Sequence, residues 1–291
     1  MLTAVRGLAQ QLFPLPLSGF GPGFAWLGGS RIAGVEAPVV IAALVLVTGA
    51  SFLAFTPAGR HVFAIGVNRE AAHLSGIAVR RAPFAPHAAG FQLGVHVTGD
   101  LAIDAVVDAF VAAEAALPRP DARHYVIHGD FVGPGSLARL AAHGWGVNMN
   151  PAIKWTVSDL MDEVVGRERS AHQWPVRSAL EAGVAVCASS DAPITAPDWR
   201  QGVAAMMLRE SKASGRASGP EQCVGLVDAL RAYTVHPARQ DFAEEWKGTV
   251  QAGKAADLCV LDRPLLGLDP HTITEVQVDL TVFDGRVVHE R

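Results

Sequence analysis

Short apolar runs alternate with helix-like stretches along the second part of the chain, from Phe91 onward. Four of these runs have the length and composition of buried strands, at residues 91–97, 124–130, 145–151 and 183–193. Helical spacing follows them at Leu101–Leu117, in "GSLARLAAHG", and in a long stretch that reaches about Tyr233. Strands and helices that alternate at this spacing predict parallel βα units, and hence a barrel or a doubly wound sheet.

The pattern changes again after Lys254. The segments "ADLCVLD" and "TEVQVDLTVFDGRVVHE" predict short antiparallel strands, with Asp284-Gly285 as the hairpin turn between two of them. A small β region therefore follows the βα units.

Residues 37–55 form an apolar stretch without a charged side chain. One interpretation is a buried core helix. The other, which its length and purity favour, is a transmembrane helix. Glu36 precedes the stretch and arginines such as Arg60 and Arg69 follow it, so the following side is expected to be cytoplasmic.

Composition narrows the classes of function. The formal net charge of −4 and a pI near 6.2 give no reason to expect a nucleic-acid partner. The three cysteines lie far apart without a CxxC pair, which argues against a disulfide framework or a cysteine-rich zinc site and suits a reducing compartment. Half of the residues are hydrophobic and the mean hydropathy is +0.25, part of which comes from the apolar stretch at 37–55.

Three chemically active side chains stand at the carboxyl ends of predicted strands, where such folds place their sites. They are His96, His128 and Asp191. Taken singly, each has a structural explanation, as a hydrogen-bonded histidine or as a turn or cap aspartate. Together at one pole, two imidazoles and a carboxylate make a plausible zinc set with an open position for water.

These residues also carry a resemblance to amidohydrolase family 3 of the urease-like superfamily. The family's "HaiGDrAid" signature stands here as His96–Asp104, its "RHriEH" strand as Arg123–His128, and its "GSDAP" segment as Ser189–Pro193. Similarity continues through "AYTVHPAR" and "GTVQAGKAADLCVLD" and covers residues 90 to 291.

The resemblance implies strands five to eight of a (β/α)₈ barrel and metal-assisted hydrolysis of carbon–nitrogen bonds other than peptide bonds. It assigns metal ligation to His96 and His128, and both metal binding and proton transfer to Asp191. Asn150, Trp155 and Arg177 are candidates to line a pocket for a small-molecule amide; ordinary loop packing is the alternative for these three.

A second resemblance covers residues 17–81. The stretch Thr56–Arg81 is similar to a cytoplasmic loop of ribose-type sugar ABC-transporter permeases, with Gly59-Arg60, Ala64–Asn68 and Leu74–Ile77 in the family's order. It implies a permease fragment, since a single spanning helix cannot form a translocation pathway.

The amidohydrolase family has an His-x-His pair on its first strand and a lysine or glutamate on its fourth. No two of the eleven histidines here are separated by one residue, and the first lysine is Lys154. We therefore expect a truncated half-barrel with at most one zinc ion, completed by a homodimer or a second chain. The expected regions are a permease-like segment at 1–85, the half-barrel at 86–247 and a β region at 248–291.

Three hypotheses follow for the whole chain: a hydrolase of carbon–nitrogen bonds, a permease-derived membrane protein, and a non-catalytic fusion product. The amidohydrolase resemblance covers more of the chain than the permease resemblance, which favours descent from a hydrolase. For present activity, the incomplete ligand set favours the non-catalytic product over an independent enzyme. The expected location is cytoplasmic, with a membrane anchor if residues 37–55 span a bilayer.

Overall fold

The computed structural model describes residues 30–56 and 84–291, and the chain divides into two compact units, residues 1–79 and 80–291. The described part of the first unit begins with a two-stranded antiparallel hairpin, β1 (Arg31–Ile32) and β2 (Val35–Glu36). Ala33 and Gly34 make its tight turn, both with positive φ. The hairpin leads directly into helix α1 (Ala37–Phe55).

Helix α1 coincides with the apolar stretch that predicted a membrane helix. Nevertheless, across residues 30–56 and 84–291, none of the helices meets the requirements of length and apolar character for crossing a membrane. The predicted membrane helix and the anchor built on it are therefore not supported. Apart from Thr56, the permease-like loop at 56–81 lies outside the described residues.

The second unit is built on a parallel four-stranded sheet in the order β3–β4–β5–β6, which confirms the predicted parallel βα arrangement. Its strands are β3 (Gly94–Val97), β4 (Tyr125–His128), β5 (Gly146–Met149) and β6 (Ala185–Ala188). The helices around it are α2 (Phe84–Ala88), α3 (Asp100–Ala116), α4 (Pro134–Ala142), α5 (Pro151–Val165), α6 (Arg167–Ala171), α7 (Val176–Glu181), α8 (Trp199–Leu208), α9 (Leu226–Tyr233) and α10 (Val235–Gln240).

The two faces of this sheet differ because strand residues alternate in direction. Val97, Val126, Val147 and Val186 belong to one buried core together with helix residues such as Phe110. The register also aligns a second row, His96, Ile127, Asn148 and Cys187, along the four strands. In this row His96 is exposed and Ile127 and Asn148 are half-buried.

The long helix predicted up to Tyr233 is interrupted. Helix α8 ends at Leu208 because Arg209 adopts a left-handed conformation, with φ of 53°. The buried Arg209 guanidinium donates hydrogen bonds to the carbonyl oxygens of four residues, and that cage of acceptors fixes the break. A short 3₁₀ helix (Pro220–Gln222) then leads to α9. The four carbonyl oxygens belong to Ala171, Gln173, Trp174 and Ser218.

The C-terminal antiparallel strands are confirmed as a three-stranded sheet of β7 (Leu258–Leu261), β8 (Val278–Phe283) and β9 (Arg286–Glu290). Asp284 and Gly285 join β8 to β9 with φ of 49° and 74°. Positive φ at both central residues is the geometry that an Asp-Gly hairpin turn favours.

Candidate functional site

Two of the predicted site residues meet at the carboxyl end of the parallel sheet. The imidazole rings of His96 and His128 lie edge to face, with their centroids 4.4 Å apart. His96 is exposed, whereas His128 is 8% exposed. The sheet thus presents a pair of imidazoles from neighbouring strands, one open to solvent and one held within the protein.

Asn150 fixes the direction and the protonation of the His128 ring. Its Oδ1 atom lies 2.7 Å from Nδ1 of His128, while its Nδ2 atom donates to Oγ of Ser189 at 2.9 Å. An amide oxygen only accepts hydrogen bonds, so Nδ1 of His128 carries the proton. In neutral His128 the lone pair is therefore on Nε2, the nitrogen available to a ligand or a proton.

A turn of left-handed backbone directs the His128 side chain. His128 and Gly129 have φ of 70° and 56°, a conformation that is uncommon for a residue with a side chain. Regular alternation would turn His128 in the same direction as Val126, which is fully buried. The left-handed turn breaks this alternation at the end of β4, and the ring comes to lie against His96.

Asp130 follows this turn and was not among the predicted site residues. The carboxylate is 8% exposed, and its Oδ2 accepts a hydrogen bond of 2.9 Å from Nε2 of Gln173. Burial raises the pKa of Asp130, an effect that is opposed by the hydrogen bond from Gln173 and by the nearby His128 and His96. Trp174 also contacts this turn, since its indole N–H donates a hydrogen bond of 3.0 Å to the carbonyl oxygen of His128.

Asp191 stands three residues beyond β6, exposed and with φ of 55°. Its carbonyl oxygen accepts a hydrogen bond from the backbone N–H of Ile194 at 2.8 Å, which closes a turn. The predicted metal and proton-transfer roles of Asp191 stay predictions.

The three residues predicted to contact substrate occupy different surroundings. Asn150 is buried against His128, as described above. Trp155 is half-buried on α5, with the ammonium group of Lys212 4.9 Å from its ring centroid. Arg177 is exposed on α7 and donates to the carbonyl oxygen of Cys223 at 2.8 Å.

The fit to a metal ion can be judged from the donor set. A catalytic zinc site commonly has three protein ligands and one open position. His96 and His128 supply two imidazoles, but in the described ranges no group of three His, Cys, Asp or Glu side chains is arranged to hold a metal. The described residues therefore supply two neighbouring imidazoles but no complete set of metal ligands.

Sequence reasoning missed Asp130, Gln173 and Trp174. Asp130 offered a signal, since it follows the second strand directly in "HYVIHGD". Gln173 and Trp174 offered none, because they lie more than forty positions along the chain from the turn that they contact.

Comparison with known proteins identifies the class. The model of the amidohydrolase family matches residues 29–289, and the chain belongs to that family. The match also covers most of residues 17–81, the segment with the permease resemblance, which gains no support.

A curated relative and two solved structures are similar to the chain. N-substituted formamide deformylase of Arthrobacter pascens is 31% identical over 203 residues, which is 69% of this chain and 37% of the relative. An uncharacterised metal-dependent hydrolase of Pyrococcus horikoshii matches with a TM-score of 0.56 at 24% identity, over 66% of this chain and 38% of its own. A zinc-bound adenosine deaminase of Xanthomonas campestris matches with a TM-score of 0.51 at 17% identity, over 72% and 48%. The two structures show that the fold is shared.

Proposed function

We propose that the chain is a hydrolase of carbon–nitrogen bonds in small-molecule, non-peptide amides, with His96 and His128 at its reactive centre. The observation that carries the proposal is the edge-to-face pair of imidazoles at the carboxyl end of the parallel sheet. Asn150 holds Nδ1 of His128 and leaves Nε2 to act. Membership of the amidohydrolase family supports this class of reaction over other uses of a histidine pair.

Under this proposal, His96 and His128 are two ligands of a single divalent ion, with zinc as the first candidate, and Asp191 is the carboxylate of the same centre. The choice of zinc agrees with the nitrogen-rich donor set. Trp155 and Arg177 are the proposed substrate contacts on α5 and α7. The three cysteines are free, in keeping with the proposed cytoplasmic location.

The four-stranded sheet is, in the same proposal, equivalent to strands five to eight of a (β/α)₈ barrel. The chain spans 37% of the curated formamide deformylase, and in the described residues β3 and β6 each have one unpaired strand edge. Parallel sheets are normally covered and their edges protected. A homodimer or a second chain would satisfy both needs, and sedimentation equilibrium of the purified chain measures this directly.

The relative suggests which substrates to try first. N-substituted formamide deformylase acts, by its name, on formamides that carry a substituent on nitrogen. We would therefore incubate the full chain with zinc and a panel of N-alkyl formamides, and measure both bound zinc and released formate.

The proposal predicts bound zinc, formate release, and loss of at least tenfold in rate for His128→Gln and for Asp191→Asn. His289→Gln is the matched control, because it removes an exposed imidazole from β9 and leaves the pair intact. Absence of bound zinc together with absence of formate would reject the proposal in favour of a non-catalytic member of the family.

A further inference from the structure

A cavity of about 380 Å³ lies at the amino end of the parallel sheet, at the pole opposite to His96 and His128. The segments that lead into β5 and β6 form part of its lining, and helix α10 forms the rest. Helix α10 contributes two polar side chains, His236 and Arg239. The volume lies within the range of small-molecule sites.

His236 has one ring nitrogen that is already used and one that is free. Its Nδ1 atom lies 2.9 Å from the carbonyl oxygen of Val186. A carbonyl oxygen only accepts, so Nδ1 carries the proton and Nε2 of the neutral ring holds a lone pair. Within residues 30–56 and 84–291, Nε2 has no hydrogen-bond partner, and it is not buried from solvent. His236 therefore offers the cavity an accessible acceptor.

Arg239 lies three positions after His236, so the two side chains extend from the same face of α10. It is half-buried, and its Nη1 atom donates to the carbonyl oxygen of Gly144 at 3.3 Å. Nε and Nη2 of Arg239 have no hydrogen-bond partner in the described ranges, and neither atom is buried from solvent. Two guanidinium donors are therefore left for a ligand.

The carboxylates nearest to Arg239 along the chain are paired with other cations. Glu244 lies 2.7 Å from the guanidinium of Arg123, and Asp241 lies 2.8 Å from the ammonium group of Lys247. In the part of the chain that the structure describes, Arg239 itself forms no ion pair. Its positive charge is therefore not neutralised by a neighbouring side chain.

The remaining side chains of the lining are apolar. Trp145 and Val184 are buried and Leu180 is half-buried. A bare inorganic ion would leave this apolar surface in contact with water, whereas a ligand with an apolar group would cover it. The lining thus favours an organic ligand whose anionic end lies at Arg239.

One compact group has to satisfy both polar side chains, because they are neighbours on one helix face. Arg239 requires an anionic oxygen, and Nε2 of His236 requires a donor. A singly protonated phosphate supplies both, and the planar guanidinium suits phosphate geometry. A carboxylate supplies only the anionic oxygen.

We propose that this cavity binds a small phosphate monoester, with a phosphate oxygen on Arg239, the P–OH group donated to Nε2 of His236, and the apolar substituent against Trp145 and Leu180. The site is independent of the proposed function, since neither His96 nor His128 lines the cavity. Binding is therefore measured without any turnover.

The test compares phenyl phosphate with two probes that each lack one feature. Phenyl sulfate has nearly the same shape but no acidic proton at pH 7, and inorganic phosphate lacks the ring. Binding of each probe to the full chain is measured by calorimetry at pH 7. We expect phenyl phosphate to bind about tenfold more tightly than either probe, because only phenyl phosphate satisfies Arg239, His236 and the apolar wall together.

Substitutions on α10 localise the binding. Arg239→Gln should weaken the binding of phenyl phosphate about tenfold or more, whereas Arg286→Gln, at an exposed arginine on β9, should leave it unchanged. His236→Asn retains a side-chain N–H for the carbonyl of Val186 but removes Nε2, and should abolish the preference for phosphate over sulfate. If the α10 variants do not fold, the Nε2 signal of His236 in ¹⁵N spectra of the unaltered chain replaces them and should shift with phenyl phosphate.

Equal binding of phenyl phosphate and phenyl sulfate, or binding that Arg239→Gln leaves intact, would overturn the site. Inorganic phosphate that binds as tightly as phenyl phosphate would overturn the monoester as the ligand. An unchanged His236 signal at saturating phenyl phosphate would contradict the contact with Nε2.

Discussion

Two histidine pairs lie at opposite ends of the parallel sheet, and they differ in how their ring nitrogens are used. His96 and His128 stand at the carboxyl ends of β3 and β4, whereas His87 lies on α2 and His124 directly before β4. At the amino end, Nδ1 of His124 accepts from the backbone N–H of Leu93, and Nε2 of His124 lies 2.9 Å from Nδ1 of His87. Nε2 of His87 in turn lies 2.7 Å from the carbonyl oxygen of Leu117. All four ring nitrogens of this buried pair are in hydrogen bonds.

The tautomers of the buried pair follow from its partners. A backbone N–H only donates, so Nδ1 of His124 is bare and Nε2 of the same ring carries the proton. That proton is donated to Nδ1 of His87, and the remaining N–H of His87 is donated to Leu117. Donation therefore runs in one direction, from Leu93 through His124 and His87 to Leu117, and this arrangement requires both rings to be neutral. Burial, with His87 and Arg119 nearby, lowers the pKa of His124 to about 4 in agreement with this.

The pair at the carboxyl end is the opposite case. Among its four ring nitrogens only Nδ1 of His128 has a hydrogen bond within the described part of the chain. Saturated imidazoles stabilise a fold, whereas imidazoles with free nitrogens can bind a ligand or move a proton. Both pairs consist of two neighbouring imidazoles, so the number of ring nitrogens already in hydrogen bonds is what distinguishes a structural pair from a pair that can bind a ligand or move a proton.

The largest expected effect comes from a substitution in the buried pair, which should lower the stability of the fold. His124→Phe keeps an aromatic ring but leaves the N–H of Leu93 and Nδ1 of His87 without partners, so we expect a loss of about 3 kcal/mol in the free energy of unfolding. Urea denaturation measures it. A loss under about 1 kcal/mol would mean that the hydrogen-bond chain contributes little.

The turn that directs His128 should be the next most sensitive feature. Gly129→Ala places a Cβ atom 2.6 Å from Cγ2 of Val147 in a left-handed conformation, and should cost about 2 kcal/mol. Gly133→Ala, where φ is −84° and no atom lies within 4 Å of the added Cβ, should stay within about 0.5 kcal/mol. Equal losses of stability at the two glycines would show that the left-handed turn at His128 and Gly129 does not require glycine.

The buried pair should also make stability depend on pH. The unfolded chain protonates His124 below pH about 6.5, whereas the folded chain resists protonation until about pH 4. Stability from this group is therefore complete above pH 6.5 and falls as the pH drops toward 4, by at most about 1.4 kcal/mol per pH unit. The contribution of His124 is measured as the difference in urea midpoint between the unaltered chain and His124→Phe, at several pH values between 7 and 5. A difference that does not change with pH would contradict the prediction.

The smallest expected effect on stability is at the open pair. His96 is exposed and makes no side-chain hydrogen bond within residues 30–56 and 84–291, so His96→Gln should change the free energy of unfolding by no more than about 0.5 kcal/mol. Under the proposed function the same substitution should lower formate release at least tenfold. A destabilisation as large as that of His124→Phe would make His96 a structural residue.

The sequence predicted the architecture of the second unit because its signals are local. Apolar runs of strand length, separated by helical spacing, predicted the parallel sheet and the strand ends at which His96 and His128 stand. The Asp-Gly turn between β8 and β9 was equally local. The membrane interpretation of residues 37–55 also used local composition, and it was not supported.

The parts that could not be predicted depend on contacts between distant residues. Helix α8 stops at Arg209 because carbonyl oxygens up to 38 positions away surround its guanidinium. Gln173 reaches Asp130 across 43 positions, and neither residue shows this in its own neighbourhood. Asn150 was assigned to substrate from its position, whereas its hydrogen bonds to His128 and Ser189 require the assembled sheet.

The protonation of the four imidazole rings tests most directly the difference between the buried pair, His87 and His124, and the open pair, His96 and His128. Long-range ¹H–¹⁵N spectra of the histidine rings at neutral pH report the tautomer of each ring, before and after addition of zinc chloride. We expect His128 to be protonated at Nδ1 and His124 at Nε2, with zinc-dependent shifts at His96 and His128 and none at His87 and His124. A His128 ring protonated at Nε2, or zinc shifts at His87 and His124 with none at the open pair, would contradict it.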